Sequence, residues 1–278
     1  MPELPAVERG RALAAAVLAG RRIEEVRCAR DPLVFEGVSP ARIRRTLEGR
    51  LVRAARRRGK HVWLELDARP WPLFHFGMTG GFRALGSDDL QMVHAPRLDH
   101  DAWPPRFTKI RLVLDDGGEL VMIDARRLGR IRLRHDPPAE PPVSRLGFDA
   151  LLDLPSAARL GAELAGRRVT LKGLLLDQSF AAGVGNWIAD EVLYQAGLDP
   201  RRPAGSLSVP EVRRLRARLS SVVRTAVGVN ADLERFPRDW LFHHRWGRQE
   251  GTRTARGEEV CFLTIAGRTT AWVPAAQR

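Results

Sequence analysis

The feature that most limits the fold is a break in the spacing of apolar residues at the run His135-Asp136-Pro137-Pro138-Ala139-Glu140-Pro141-Pro142. Proline fixes φ and lacks an N–H, so this run can continue neither a helix nor a central strand and reads as a semi-rigid linker. Before it the apolar residues mostly alternate. Val62, Leu64 and Leu66 interleave with His61, Trp63 and Glu65, and Ile110, Leu112 and Leu114 interleave with Lys109, Arg111 and Val113. Gly80-Gly81 and Asp116-Gly117-Gly118 supply turn signals between such runs. One helix precedes them over 6–19, where Val7, Leu13, Ala14, Val17 and Leu18 share a face and Gly20 ends it. After the linker the period becomes helical over 156–165, 171–178, 186–196 and 208–227. The tail changes again: 260–265 and 269–273 flank Ala266-Gly267-Arg268 as a hairpin would. The expectation is an α+β chain. An N-terminal β-sandwich domain with a leading helix covers 1–134, a linker 135–148, and a helical domain 149–278 that ends in a β-hairpin from about 245.

Charge narrows the function. Of 278 residues, 46 are Lys or Arg and 33 are Asp or Glu, a formal net charge of +13. Such an excess favours an anionic partner, nucleic acid above all. A membrane surface would require a basic amphipathic helix with aromatic anchors, which the pattern does not contain. No apolar run reaches spanning length, so no membrane partner is expected. Glu3 stands where a secretory leader would carry its basic region, which predicts a cytoplasmic protein, nucleoid-associated in a bacterium. The only lysines are Lys60, Lys109 and Lys172. Where arginine serves nearly everywhere else, a retained lysine hints at a need for a compact point charge. Cys28 and Cys261 are the only cysteines, so a four-cysteine zinc site is impossible. His243, His244 and Cys261 fit no common ligand spacing, and no metal or organic cofactor is expected.

The start Met1-Pro2-Glu3 carries chemistry if Met1 is trimmed. Pro2 would then be a secondary amine titrating at roughly 8, so a useful fraction is neutral at cell pH. Attack on a sugar carbon would give an iminium, an electron sink for elimination. Glu3 could then move protons at the same carbon. Taken alone, these residues favour an ordinary chain start.

Further segments decide between those readings. Pro2-Glu3-Leu4-Pro5-Ala6-Val7-Glu8, Arg57-Arg58-Gly59-Lys60, His75-Phe76-Gly77-Met78-Thr79-Gly80, Asp124-Ala125-Arg126-Arg127-Leu128-Gly129, and the stretch from Leu171-Lys172-Gly173 to Gly183-Val184-Gly185-Asn186 stand in one order along the chain. Together they resemble the formamidopyrimidine-DNA glycosylase/endonuclease VIII family over nearly the whole length. That resemblance implies a bifunctional DNA glycosylase and AP lyase of base excision repair, acting on damaged double-stranded DNA as a monomer. It assigns catalysis to Pro2, Glu3 and Lys60. Met78, Arg126 and Leu128 would fill the gap left by an extruded base, a step that costs a few kcal/mol of stacking. Lys172, Asn186 and Arg268 would hold backbone phosphates, with Glu191 as structural support. It further implies a helix–two-turns–helix element, where glycines admit close backbone approach and a helix start favours an anion.

The chain departs from the family pattern in four places. Ala6 replaces a frequent glutamate, which bears on the tuning of the proline. Leu128 replaces a frequent phenylalanine, which predicts less strict reading of the partner base. The finger holds Cys261 alone where many members have four cysteines, which predicts a zincless hairpin held by packing of Phe262, Ile265, Trp272 and Val273. Segment 230–246 is short for a loop that covers an extruded 8-oxoguanine, which favours ring-opened purines or oxidised pyrimidines. The resemblance further implies β- and δ-elimination. Two other classes remain: a non-catalytic binder of damaged DNA, and a helix-turn-helix regulator that would dimerise on one sequence.

Overall fold

The computed structural model describes residues 2–86 and 103–278. Met1, on whose removal the nucleophile reading turns, lies outside the described residues. The chain divides into two compact units, Met1–Arg145 and Leu146–Arg278. The division falls within 135–148, the segment read as the linker.

Unit 1 opens with α1 (Leu4–Leu18), two residues earlier than the apolar pattern suggests. Pro5 sits in its first turn, where a missing N–H costs nothing. Then follow β1 (Ile23–Cys28), α2 (Pro40–Leu47), β2 (Val52–Arg58), β3 (His61–Leu66), β4 (Trp71–His75), β5 (Gly81–Ala84), β6 (Thr108–Leu114), β7 (Glu119–Ile123) and β8 (Arg130–Arg134). They form two four-stranded sheets, β1-β6-β7-β5 and β2-β3-β4-β8, antiparallel at every pairing. Helix α1 packs on β2 and β3 of one sheet and on β5 and β7 of the other. The core that joins them includes Val7, Leu18, Ile23, Leu64, Phe74, Phe76, Phe82 and Met122. Each such buried side chain stabilises by about 1.5–3 kcal/mol. Helix α2 carried no sequence expectation. Only Ile43 and Leu47 of its eight residues are buried, and the three arginines Arg42, Arg44 and Arg45 hide the period. Its local signal is the Ser39 cap, which accepts the Arg42 N–H, followed by Pro40.

Unit 2 contains β9 (Phe148–Asp149), α3 (Ala157–Leu164), α4 (Leu171–Leu176), β10 (Ala181–Ala182), α5 (Asn186–Ala196), α6 (Val209–Gly228), β11 (Cys261–Ile265) and β12 (Arg268–Trp272). The caps explain the boundaries. Ser156 and Thr170 accept N–H groups at the starts of α3 and α4, and Ser208 with Glu211 forms a reciprocal capping box on α6. Gly197, left-handed at φ 65°, ends α5. β11 and β12 form the terminal hairpin, in register from Cys261 opposite Trp272 to Ile265 opposite Arg268.

Candidate active site

The N-terminus of α1 is fastened to the turn that bears Lys60. Glu3 is the residue before the helix, 3% exposed, and its side chain makes no cap hydrogen bond to α1. Pro2 beside it is buried. One turn along, Glu8 accepts from Arg57 Nε at 2.9 Å and pairs with Arg11 at 2.8 Å. Arg57, buried at the end of β2, also donates from Nη1 to the Gly59 carbonyl at 2.9 Å. Gly59 takes φ 55°, which closes the β2–β3 turn and delivers Lys60 to a buried position. Ala6 offers no carboxylate there, and Glu8 is the acid that organises this corner.

A histidine pair lies next along the same sheet. His61 and His75 are partners across β3 and β4, ring centroids 4.9 Å apart. Burial pushes both imidazoles below their ordinary value, His61 to about 3 and His75 to about 4. The Lys60 charge is the second cause for His75. Both rings are therefore neutral at cell pH. The Gly77 N–H donates to His75 Nδ1 at 3.2 Å, which leaves the His75 proton on Nε2 as a donor. Sequence reasoning passed over His75, although it opens the very turn quoted for Met78.

That turn meets the loop after β7. Gly77 has φ 64°, and a Cβ there would collide with the Leu128 backbone. Only glycine allows the Met78 turn to press against the loop that carries Arg126 and Leu128. The loop is shaped by Asp124, fully buried, whose carboxylate accepts from Arg126 N at 3.2 Å and Gly129 N at 2.6 Å. Leu128 is left 41% exposed and Arg126 is exposed. One exposed leucine is ordinary. An exposed leucine on a braced loop, beside a methionine turn and an arginine, has the composition of a wedge.

In unit 2, α4, a two-turn connection and α5 form the expected element. Gln178 clips the connection: its amide donates to Leu176 O and Val184 O, both at 2.9 Å, and its oxygen accepts from Gly183 N at 3.1 Å. Asn186 is the first residue of α5, after Gly185. Its Nδ2 donates to the Thr269 carbonyl at 2.8 Å, one residue past Arg268. Arg268 itself is half-buried. Among the described residues its guanidinium has no partner.

Lys172 corrects a sequence expectation. It was read as reaching a phosphate, yet its side chain is 0% exposed. Its ammonium pairs with Asp190 and donates to the Thr269 carbonyl at 3.1 Å. Asp190 also accepts from Arg245 Nη2 at 2.7 Å and from the backbone N–H of Ala271 at 3.2 Å. An ammonium sealed inside this cluster cannot neutralise a solvated phosphate. It holds strand β12, and so Arg268, in place. All three lysines turn out to be buried, with Lys109 paired to Asp31. Lysine is retained where the cation lies inside.

Glu191 is fully buried on the next position of α5. It accepts from Phe242 N at 2.8 Å and from Gln195 Nε2 at 2.7 Å, tying the helix to segment 230–246. Burial pushes its carboxyl up to about 7. That segment packs as an aromatic cluster in which Phe236, Trp240 and Phe242 surround Trp187.

Of the packing expected of the hairpin, Val273 and Phe262 join its cluster, and other residues complete it. Val260, Ala271 and Val273 pack with Tyr194 and Leu241, and Phe262 lies against them. Arg201 sits over the Trp272 ring at 4.2 Å. The Lys172–Asp190–Arg245 cluster adds an ionic tie beneath β12. Among the described residues no group of three or more His, Cys, Asp or Glu side chains could hold a metal ion, and Cys28 and Cys261 are free. No helix among them is long and apolar enough to cross a membrane.

Comparison with known proteins places this geometry. Residues 1–131 match the formamidopyrimidine-DNA glycosylase N-terminal domain, and residues 146–237 match the formamidopyrimidine-DNA glycosylase H2TH domain. A formamidopyrimidine-DNA glycosylase of Arabidopsis thaliana is 40% identical over all of this chain and 71% of its own length. One from Laribacter hongkongensis is 35% identical over the full length of both. A Lactococcus lactis enzyme of that name, solved non-covalently bound to DNA containing an AP site, superposes with a TM-score of 0.80 at 21% identity and covers 99% of each chain. Two family domains in sequence, full-length relatives and a shared fold lead to one conclusion: this chain belongs to the formamidopyrimidine-DNA glycosylase family.

Proposed function

We propose that the protein is a bifunctional DNA glycosylase and AP lyase that removes oxidised bases, with Pro2 as nucleophile once Met1 is removed. The observation that carries the reading is the intact Pro2-Glu3 pair, buried at the start of α1 in a chain of this family. The neutral Pro2 nitrogen attacks the sugar C1′. The bond from C1′ to the base breaks, and the base leaves with that electron pair and takes up a proton in place of the one that the Pro2 nitrogen gives up. Glu3 protonates the ring oxygen as the sugar opens, which gives an iminium between Pro2 and C1′. The iminium accepts the electrons released when the C2′ proton is lost, and the 3′ phosphate departs. A second elimination expels the 5′ phosphate, and water releases the sugar fragment. No step requires a metal or an organic cofactor.

The remaining residues divide the work. Met78, Arg126 and Leu128 fill the gap left by the extruded nucleotide and offset its unstacking. Lys60 and the His75 Nε2–H face the reacting strand. Asn186 and Arg268 hold phosphates by hydrogen bond and charge. Lys172 acts indirectly, through its ties to Asp190 and to the Thr269 carbonyl beside Arg268. The shortness of segment 230–246, against a loop that would cover an extruded 8-oxoguanine, favours ring-opened purines or oxidised pyrimidines.

The test is a panel of duplexes bearing a formamidopyrimidine, an oxidised pyrimidine or an abasic site, incubated with Met1-trimmed protein. The expected product is a one-nucleotide gap with phosphate at both ends, absent with Pro2→Gly. Tight binding of the abasic duplex without scission would overturn the enzyme and leave a damage-binding protein.

A further inference from the structure

The loop that carries Arg126 and Leu128 also carries Arg127, which the proposed chemistry does not use. Arg127 has φ 56°, in the left-handed region. A residue with a Cβ enters it at a cost of about 1 kcal/mol, and such strain persists only where the surroundings over-determine it. The determinant here is the side chain. Arg127 Nε and Nη2 donate to the two carboxylate oxygens of Asp31, at 3.0 and 3.1 Å. Asp31 lies buried in the segment after β1 and also accepts from Lys109 Nζ of β6 at 2.9 Å. Burial alone would raise its carboxyl; hydrogen bonds from Arg127 and Lys109 and the Lys109 charge hold it at about 2. Asp31 is thus ionised whenever Arg127 meets it. Arg127 is tied to Asp31 although its side chain stays half exposed, and Asp124 holds both ends of the loop, so the exposed Arg126 and Leu128 flank a tethered residue.

We propose that Asp31 is a positioning residue for the wedge. Through Arg127 it fixes the strained loop before DNA arrives, so that Arg126 and Leu128 enter the stack without first ordering. The inference rests on the reading of Arg126 and Leu128 as gap-filling residues. A preorganised loop gives the discrimination of the opposing base that a mobile one would lose.

Two variants separate clamp from strain. Asp31→Asn weakens the bidentate pair, and Arg127→Gly removes it while suiting the left-handed backbone. The first probe needs no chemistry: a duplex with a tetrahydrofuran abasic analogue and 2-aminopurine opposite it, whose fluorescence rises on unstacking. Wild-type protein at saturation should raise the signal, and both variants should give a much smaller rise at equal occupancy. In turnover, duplex lesion excision should fall about tenfold or more. Scission of a single-stranded abasic oligonucleotide, which has no opposing base to displace, should fall far less. Unstacking equal to wild type in both variants would overturn the clamp. So would the absence of any wild-type rise, or equal losses on duplex and single strand, which mean a structural role only. A wild type that unstacks 2-aminopurine but never cleaves would defeat the glycosylase reading and leave the clamp standing.

Discussion

At the scale of single residues, the cluster around Asp190 is the sharpest case. One carboxylate faces two buried cations, Lys172 and Arg245, and a backbone N–H of the hairpin. Removing one partner of such a set leaves charge uncompensated inside the protein, at a cost of about 3–5 kcal/mol. Asp190→Asn should therefore lower the unfolding free energy by that order in a denaturant titration. It should also weaken DNA binding as Arg268 loses its support. A change within experimental error would mean that the cluster is solvated and idle. The residue types at this site were legible in the sequence, because motif spacing pointed to Lys172, Asn186 and Arg268. Depth was not. Spacing along the chain cannot tell a lysine on a surface from one beneath a strand 97 residues away, and so Lys172 was given a phosphate it does not meet.

At the scale of elements, turns and tethers decide the site. Gly77→Ala would put a methyl group into the Leu128 backbone and force a left-handed φ on alanine. It should cost about 1–3 kcal/mol by overpacking and lower duplex excision more than single-strand scission. Thermal unfolding and the two activity assays check both. Glu191 gives a pH signature. Its folded value lies near 7 against an ordinary 4.5, so the native state holds a proton that the unfolded chain releases across that window. Stability from this group is complete below about 4.5, falls as pH rises to about 7 and is flat above. Unfolding measured from pH 4.5 to 8 should show that decline, and Glu191→Gln should flatten it at the cost of one hydrogen bond, about 1 kcal/mol. An unchanged slope in the variant would assign the dependence elsewhere. Helices with a clear 3.6 period and a serine or threonine cap were legible to within two residues. Helix α2 was not, since eight residues with two buried positions carry too little pattern.

At the scale of the whole molecule, the net charge of +13 is the term that draws DNA in. Each neutralised phosphate releases counterions, so log affinity should fall with log salt at about −0.9 per contact. Arg268→Ala should reduce that slope by ~1 across sequences, a fluorescence-anisotropy measurement at several salt concentrations. An unchanged slope would remove Arg268 from the phosphate grip. The division into two units was legible from the proline run and the change of period. The buried histidine pair and the Asp31 clamp were not, because each joins residues from separate strands or loops whose meeting is a property of the folded sheets.

The central claim is that Pro2 forms a covalent bond to the sugar. The measurement is borohydride reduction of Met1-trimmed protein on an abasic-site duplex, followed by a denaturing gel and peptide mapping of any adduct. The account predicts a trapped protein–DNA band that maps to Pro2 and vanishes in Pro2→Gly. A band at another residue, or no band from protein that binds the same duplex tightly, would contradict it.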